Sequence, residues 1–384
     1  MRFTALAGVA VPYVVAAFVA AALVALVLTP LVRAIALRVD AVDRPDQRRV
    51  NVVPLPRGGG VAVGAAFIAV VLAFLWLNAQ LKFVAVPTTI DTPTLVALLL
   101  GGALAVVFGV LDDYFDLRAR WQFAAQLVLA GLAVGLGVTI EVVSNPIGGD
   151  LIRLEGLVAA AFTVLWIVGM LNSINFIDGL DGLSSGVVFI AAVTLGLISL
   201  TLASQVYVAI LCFALAGALL GFLRYNFHPA TIFVGTSGVM FMGYTLAVLS
   251  IVGTAKIAVA LLVLAVPIID AFWIIVRRLV QRRSPFSPDR GHLHHRLLDV
   301  GLSHRQTVLL IYAICIGLGG LSLLLSGAGQ VYAFLGVFVL IGLALLALSR
   351  IDLGGPDERV GQNRDENRDD GRARAQSSQT SRPS

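Results

Sequence analysis

The chain has 384 residues, 59% of them apolar and only 13% charged, and its mean hydropathy is +0.94. No soluble domain needs that much hydrocarbon, so soluble multidomain classes are excluded and an all-α polytopic membrane protein is expected. The formal charge of +5 says little about partners, because most basic residues lie in loops where they set topology.

A helix needs about 20 apolar residues to cross the hydrocarbon, somewhat fewer or more with tilt. Eleven runs qualify or come close: 9–31, 61–77, 95–111, 121–140, 157–171, 186–203, 206–223, 239–253, 257–276, 308–326 and 331–348. The first is long and followed by positive charge, which favours a retained span over a cleaved signal peptide. The fifth and eighth are short, and helix continuation into the flanking motifs, or local bending, would make up the length. The ninth contains Pro267, which should kink it, and Asp270, an acid inside a span and therefore a functional candidate. Cys212 and Cys315 fall in apolar runs and read as small buried residues. Residues 1–351 thus form one membrane domain. The stretch 352–384, rich in Gly, Asp, Arg, Gln and Ser without apolar periodicity, reads as a disordered cytoplasmic tail.

Arginine and lysine set the orientation. With the N-terminus outside, the inner loops carry Arg38, Arg44, Arg48, Arg49, Arg57, Arg118, Arg120, Arg224 and the arginines between 277 and 305. The outer segments hold only Arg2, Lys82, Arg153 and Lys256. An outside N-terminus and a cytoplasmic C-terminus follow, and this topology gathers every polar motif at the cytoplasmic interface.

The first motif, LDDYFD at 111–116, places Asp112, Asp113 and Asp116 at the end of the third span. A solvated acidic loop could end a helix this way. Three acids at a helix C-terminus nevertheless oppose the macrodipole and call for a cation. In the second motif, NSINFIDGLDGL at 172–183, Asn172, Asn175, Asp178 and Asp181 recur every three residues, so a continuing helix would carry them as one polar stripe. The plainer alternative is a loop whose aspartates cap the sixth span. Carboxylate and amide oxygens suit Mg²⁺ or sugar hydroxyls. The third motif, GHLHH at 291–295, sets His292, His294 and His295 between Arg290 and Arg296. A zinc site lacks thiols and a second ligand cluster there. Donation to a diphosphate fits the acidic motifs better, and contact with anionic lipid remains the alternative.

These motifs, with RPDQRRVNVVPLPRGGG at 44–60, GVLDDYFDLRARWQF at 109–123 and RGHLHHRLLDVGLSHRQ at 290–306, resemble the polyprenyl-phosphate N-acetylhexosamine-1-phosphate transferases over nearly all of the membrane part. The histidine segment looks like the bacterial undecaprenyl-phosphate branch that uses UDP-N-acetylglucosamine or a related sugar. The resemblance implies attack of a polyprenyl phosphate on a UDP-sugar with loss of UMP. That would be the first membrane step of a cell-envelope polymer such as lipopolysaccharide or teichoic acid, with Mg²⁺ (or Mn²⁺) as cofactor and the site facing the cytoplasm at the inner membrane. It implies a UDP-sugar, a lipid phosphate and the membrane as partners and no nucleic acid, and leaves a homodimer open. Asp112 and Asp113 would match the catalytic pair. Asn175, Asp178 and Asp116 would serve the metal. Asp181, Phe233 (stacking on uracil), Arg290, His292, His294 and His295 would bind substrate, and the bent ninth span would border the lipid groove.

One position departs from the pattern. Thr236 stands where the family usually has a metal-ligand aspartate. Compensation by Asp116 or Asp178, a metal held mainly by substrate, and altered function are the three explanations. The intact remaining motifs favour compensation. Two other function classes stay in view: an ion-coupled transporter using Asp270, and a non-catalytic relative that binds lipid carrier or UDP-sugar.

Overall fold

The computed structural model describes residues 3–43, 54–84, 91–145, 151–201, 205–252, 257–282, 291–325 and 327–350. Arg290, the arginines of the 44–53 loop and the expected tail lie outside these residues. The described chain is a bundle of helices: α1 (Phe3–Arg38), α2 (Gly60–Leu81), α3 (Thr92–Phe115), α4 (Ala119–Gly135), α5 (Gly156–Ile177), α6 (Leu183–Thr201), α7 (Val206–Asn226), α8 (Gly235–Val252), α9 (Ile257–Val263), α10 (Ala265–Val280), α11 (Leu293–Asp299), α12 (His304–Leu324) and α13 (Ala328–Arg350). Nine are long and apolar enough to cross a membrane among the described residues, or ten if the bent pair α9–α10 is one span. The remaining run of the expected eleven is α4, which has 17 residues and closes at Gly135 rather than near 140, just short of those nine. The helical expectation holds, with two short ribbons added in the loops. Antiparallel ribbons pair β1 (Val42–Asp43) with β2 (Leu55–Pro56), and β3 (Val142–Val143) with β4 (Ile152–Arg153).

The breaks have local causes. Pro267 has no N–H to offer the carbonyl of Val263 and its ring crowds that carbonyl, so the helix breaks at Leu264 and its halves diverge by 77°. Asp91 caps α3 by accepting from the Thr94 amide at 2.9 Å. Ser303 and Gln306 form a reciprocal capping box on α12. The fifth span gains its missing length by running six residues past 171 into the second motif, and the eighth by starting at Gly235.

Helices α6, α7 and α8 are the most enclosed, whereas α1 and α13 are peripheral and present apolar faces outward. Helix α7 packs on α1 and α6, and α8 on α3 and α5. Close approach depends on small residues, as is usual between membrane helices. A Cβ on Gly60 would fall into the Gly238 backbone, and one on Gly109 into the Ser237 backbone. Both contacts draw α2 and α3 against the start of α8, where the polar motifs meet.

Candidate active site

The last turn of α3 brings Asp112 and Asp113 to the N-terminus of α8. Asp113 Oδ1 accepts from the Thr236 amide at 2.7 Å and Oδ2 from the Ser237 amide at 3.1 Å. These first-turn amides have no partner inside the helix, and a carboxylate there is favoured by the helix dipole. Gly235 makes the approach possible: at φ +70 it turns the chain into α8, and a Cβ would lie 2.5 Å from Asp113 Oδ2. Asp112, one residue earlier, faces another way. Its Oδ1 accepts from Gln122 Nε2 at 2.7 Å and its Oδ2 from the Thr236 hydroxyl at 2.6 Å. Thr236 therefore ties the two acids together, its amide on one and its hydroxyl on the other.

The two acids line different spaces. Asp113 opens on a polar cavity of about 770 Å³, whose walls also carry Arg57, Asn175, Asp178, Asp181, Phe233, Thr236, His228, His295 and His304. Asp112 sits at the edge of an apolar pocket of about 360 Å³ walled by Phe108, Trp121, Val128 and Met240.

Helix α5 ends at Ile177, which breaks the expected stripe. Asn175 is still helical, Asp178 is the C-cap, and Asp181 belongs to the following turn. Asn172 points elsewhere, donating from Nδ2 to Gln126 Oε1 at 2.7 Å and to the Val168 carbonyl at 2.8 Å. Burial pushes the Asp178 carboxyl up to about 7. The Ser184 hydroxyl, donating to Oδ1 at 2.6 Å, opposes the rise, and the neighbouring Asp113 and Asp181 charges add to it. A buried acid that ionises only with difficulty, beside two further carboxylates and the Asn175 amide, is a hard-oxygen donor set that fits a divalent cation such as Mg²⁺.

At the other end of the cavity Asp181 Oδ2 meets His228 Nδ1 at 2.8 Å and accepts from the Ala230 amide at 3.1 Å. The His228 and His304 rings stack, with centroids 4.1 Å apart and planes 20° apart. Ligand atoms of Asp181, His228 and His304 lie within 4.8 Å of one another. Imidazole lone pairs lie in the ring plane, so two nearly parallel rings cannot aim at one ion without turning. The trio as arranged is a hydrogen-bonded stack. Arg57, set by the β1–β2 ribbon, contacts Asp43, and its Nη1 lies 3.2 Å from Asp116 Oδ1.

The histidine segment spreads over three environments. His295 lines the cavity. His294 is buried behind it, so close to the turn that a Cβ on Gly179 would overlap its Nε2, and neither ring nitrogen has a hydrogen-bond partner. Burial holds its imidazole well below the usual histidine range, and the neighbouring His295, His292 and His304 push the same way, so it is neutral near pH 7. His292 is also buried, with Nδ1 2.9 Å from Asp270 Oδ2.

Of the residues singled out from the sequence, Asp113, Asn175, Asp178, Asp181, Phe233, Thr236 and His295 share the cavity. Asp112 lines the apolar pocket instead. Asp116 is the left-handed C-cap of α3, its side chain 86% exposed beside Arg57, and it is absent from the cavity wall. His292 and His294 support the wall from behind, and Arg290 lies outside the described residues. Sequence reasoning did not single out Asp43, Arg57, His228 or His304. Arg57 and His304 lay within quoted motifs, whereas a single histidine in the loop before α8 carried no signal of its own.

Residues 95–254 match the model of glycosyl transferase family 4. The "Probable undecaprenyl-phosphate N-acetylglucosaminyl 1-phosphate transferase" of Bacillus subtilis is 38% identical over 290 residues, covering 74% of this chain and 76% of the relative. The chain belongs to glycosyl transferase family 4. The decaprenyl-phosphate N-acetylglucosaminephosphotransferase of Mycolicibacterium smegmatis is 35% identical, covering 85% of this chain and 86% of its own length. The undecaprenyl-phosphate alpha-N-acetylglucosaminyl 1-phosphate transferase of Escherichia coli K12 is 28% identical, covering 73% and 75%. The family match takes in both acidic motifs and the start of α8, the segments that meet at Asp113.

Proposed function

We propose that the protein transfers N-acetylglucosamine 1-phosphate, or the 1-phosphate of a related N-acetylhexosamine, from a UDP-sugar to undecaprenyl or decaprenyl phosphate. The observation that carries this reading is the convergence of Asp113, Asn175, Asp178 and His295, from three separate chain segments, on one cavity at the ends of apolar helices. Relatives named for this activity, matched over most of their length, support it. The cavity faces the cytoplasm and the N-terminus lies outside. Among the described residues Arg38, Arg57, Arg118, Arg120, Arg224 and Arg277 fall on the cavity side of this topology, against Lys82 and Arg153 on the other.

In this reaction a phosphate oxygen of the acceptor lipid attacks the sugar-linked phosphorus of the UDP-sugar. The bond from that phosphorus to the bridging oxygen breaks, and UMP leaves with the bridging oxygen and its electron pair. A polyprenyl diphosphate sugar remains. Both reactants are anionic, so the protein's work is positioning and charge neutralisation. Asp113, fixed by two backbone amides, faces the incoming lipid phosphate and takes its proton. Asp112, held by Gln122 and Thr236, keeps that turn of α3 in register. His295 donates to the diphosphate, Phe233 stacks on uracil, and Asp181 with His228 closes the nucleotide end. Asp178 and Asn175 would hold Mg²⁺, which supplies counter-charge to the diphosphate when bound. Asp116, paired with Arg57, has no place in this donor set. Asp270 hydrogen-bonds the histidine segment, which removes the main support for an ion-coupled transporter.

The test is transfer of sugar label from a panel of UDP-sugars into butanol-extractable lipid by purified protein with polyprenyl phosphate. Label from UDP-N-acetylglucosamine, matched by UMP, is expected. Binding without turnover under every metal condition would refute the reading in favour of a non-catalytic relative.

A further inference from the structure

Asp270 is an acid 1% exposed in the half-helix that follows the 77° break, and it lines neither of the two pockets described above. An ionisable group there is costly unless it is satisfied. Both its oxygens are engaged by the histidine segment: Oδ2 with His292 Nδ1 at 2.9 Å, and Oδ1 by the Leu293 amide at 2.8 Å. These are consecutive residues at the entry to α11. One carboxylate thus fixes both a ring and the first backbone amide of that short helix.

The clamp continues outward. The His292 ring lies 5.7 Å from the Phe176 ring of α5, beside Asn175, and Arg278, two turns beyond Asp270 on α10, stands over the Phe176 ring at 5.8 Å. The Arg296 side chain closes the turn by donating from Nε to the Gly291 carbonyl at 3.0 Å, and its amide bonds the His292 carbonyl at 3.1 Å. His294 and His295 follow directly, one wedged against Gly179 and the other on the cavity wall.

We propose that Asp270 is a positioning residue: its two hydrogen bonds to His292 and Leu293 anchor the histidine segment so that His295 faces the nucleotide diphosphate. The break before α10 serves this role, because it redirects the half-helix that carries the anchor. Asp270 touches no substrate and acts only through the segment. The kinetic consequence rests on the transferase function proposed above, whereas the anchoring itself does not.

The experiment has two arms on full-length protein in lipid nanodiscs. Hydrogen–deuterium exchange without substrate should show faster exchange at 291–299 in Asp270→Asn than in wild type, with protection across α5 and α10 retained. In steady-state kinetics, Asp270→Asn should lower kcat/KM for UDP-N-acetylglucosamine by about 10–100-fold, by analogy with the loss of an outer partner of a metal-bound histidine. The KM for the acceptor lipid should not move. His292→Gln breaks only the ring half of the clamp, so the double variant should be no worse than the worse single one. Unchanged exchange at 291–299, a general loss of protection that includes α5, or independent multiplication of the two single effects would each overturn the proposal. If wild type transfers no sugar from any donor, the transferase function fails and the exchange arm alone decides the anchor.

Discussion

Asp178 offers a stability test whose sign changes with metal. Its carboxyl rises from 3.8 to about 7 on burial, which corresponds to about 4 kcal/mol between the two protonation states. The folded protein therefore binds a proton that the unfolded chain has released between those values. In metal-free protein the associated stability is present at low pH, falls as pH rises above 3.8, and is gone above about 7. Asp178→Asn keeps an oxygen for the Ser184 hydroxyl and carries no charge. With chelator at pH 8 it should raise stability by up to about 4 kcal/mol, and at pH 5 by much less. Adding Mg²⁺ should stabilise wild type at pH 8 more than the asparagine variant, because the variant has one anionic donor fewer. Unfolding midpoints in nanodiscs, with and without metal at both pH values, measure all of this. A variant less stable than wild type at pH 8 in chelator, or equal stabilisation of both by Mg²⁺, would refute the reasoning.

Two further substitutions probe neighbouring contacts. Thr236→Asp replaces a donor to Asp112 by a third carboxylate, and unit charges about 4 Å apart repel by about 4 kcal/mol at an effective dielectric near 20. The variant should be destabilised in chelator and show a larger Mg²⁺-induced thermal shift than wild type. Wild type should still release UMP in a Mg²⁺-dependent assay, and activity confined to the aspartate variant would defeat compensation by the other acids. Gly179→Ala sets a methyl against the buried His294 ring, and overpacking of this kind costs about 1–3 kcal/mol. Chemical denaturation should show that loss, and His294→Ala in the same chain should recover most of it.

Apolar run lengths made the helical membrane class legible, and the spacing of acids and amides pointed to segments that line the cavity. What the sequence concealed was direction. Asp112 and Asp113 are neighbours in the chain, yet one helical step turns them toward different spaces. Asp116 reads as a third member of their face, but α3 stops one residue earlier and a left-handed cap swings it to Arg57. The stripe from Asn172 to Asp181 breaks for the same reason, since α5 ends between its second and third members. Contacts made across the fold were equally hidden. His228 meets Asp181 over 47 positions, and the two Arg57 partners belong to different elements. Asp270 was conspicuous as an acid within a span, but only the structure shows what it holds.

The central claim concerns which bond breaks in the donor. UDP-N-acetylglucosamine labelled with ³²P at the sugar-linked phosphate, incubated with wild-type protein, Mg²⁺ and polyprenyl phosphate, tests it most directly. The lipid fraction should gain the label while the released UMP stays unlabelled, and Asp113→Asn in a folded protein should abolish both. Label recovered as UDP, or a lipid fraction that stays unlabelled with every metal, would contradict a sugar-phosphate transferase built on this cavity.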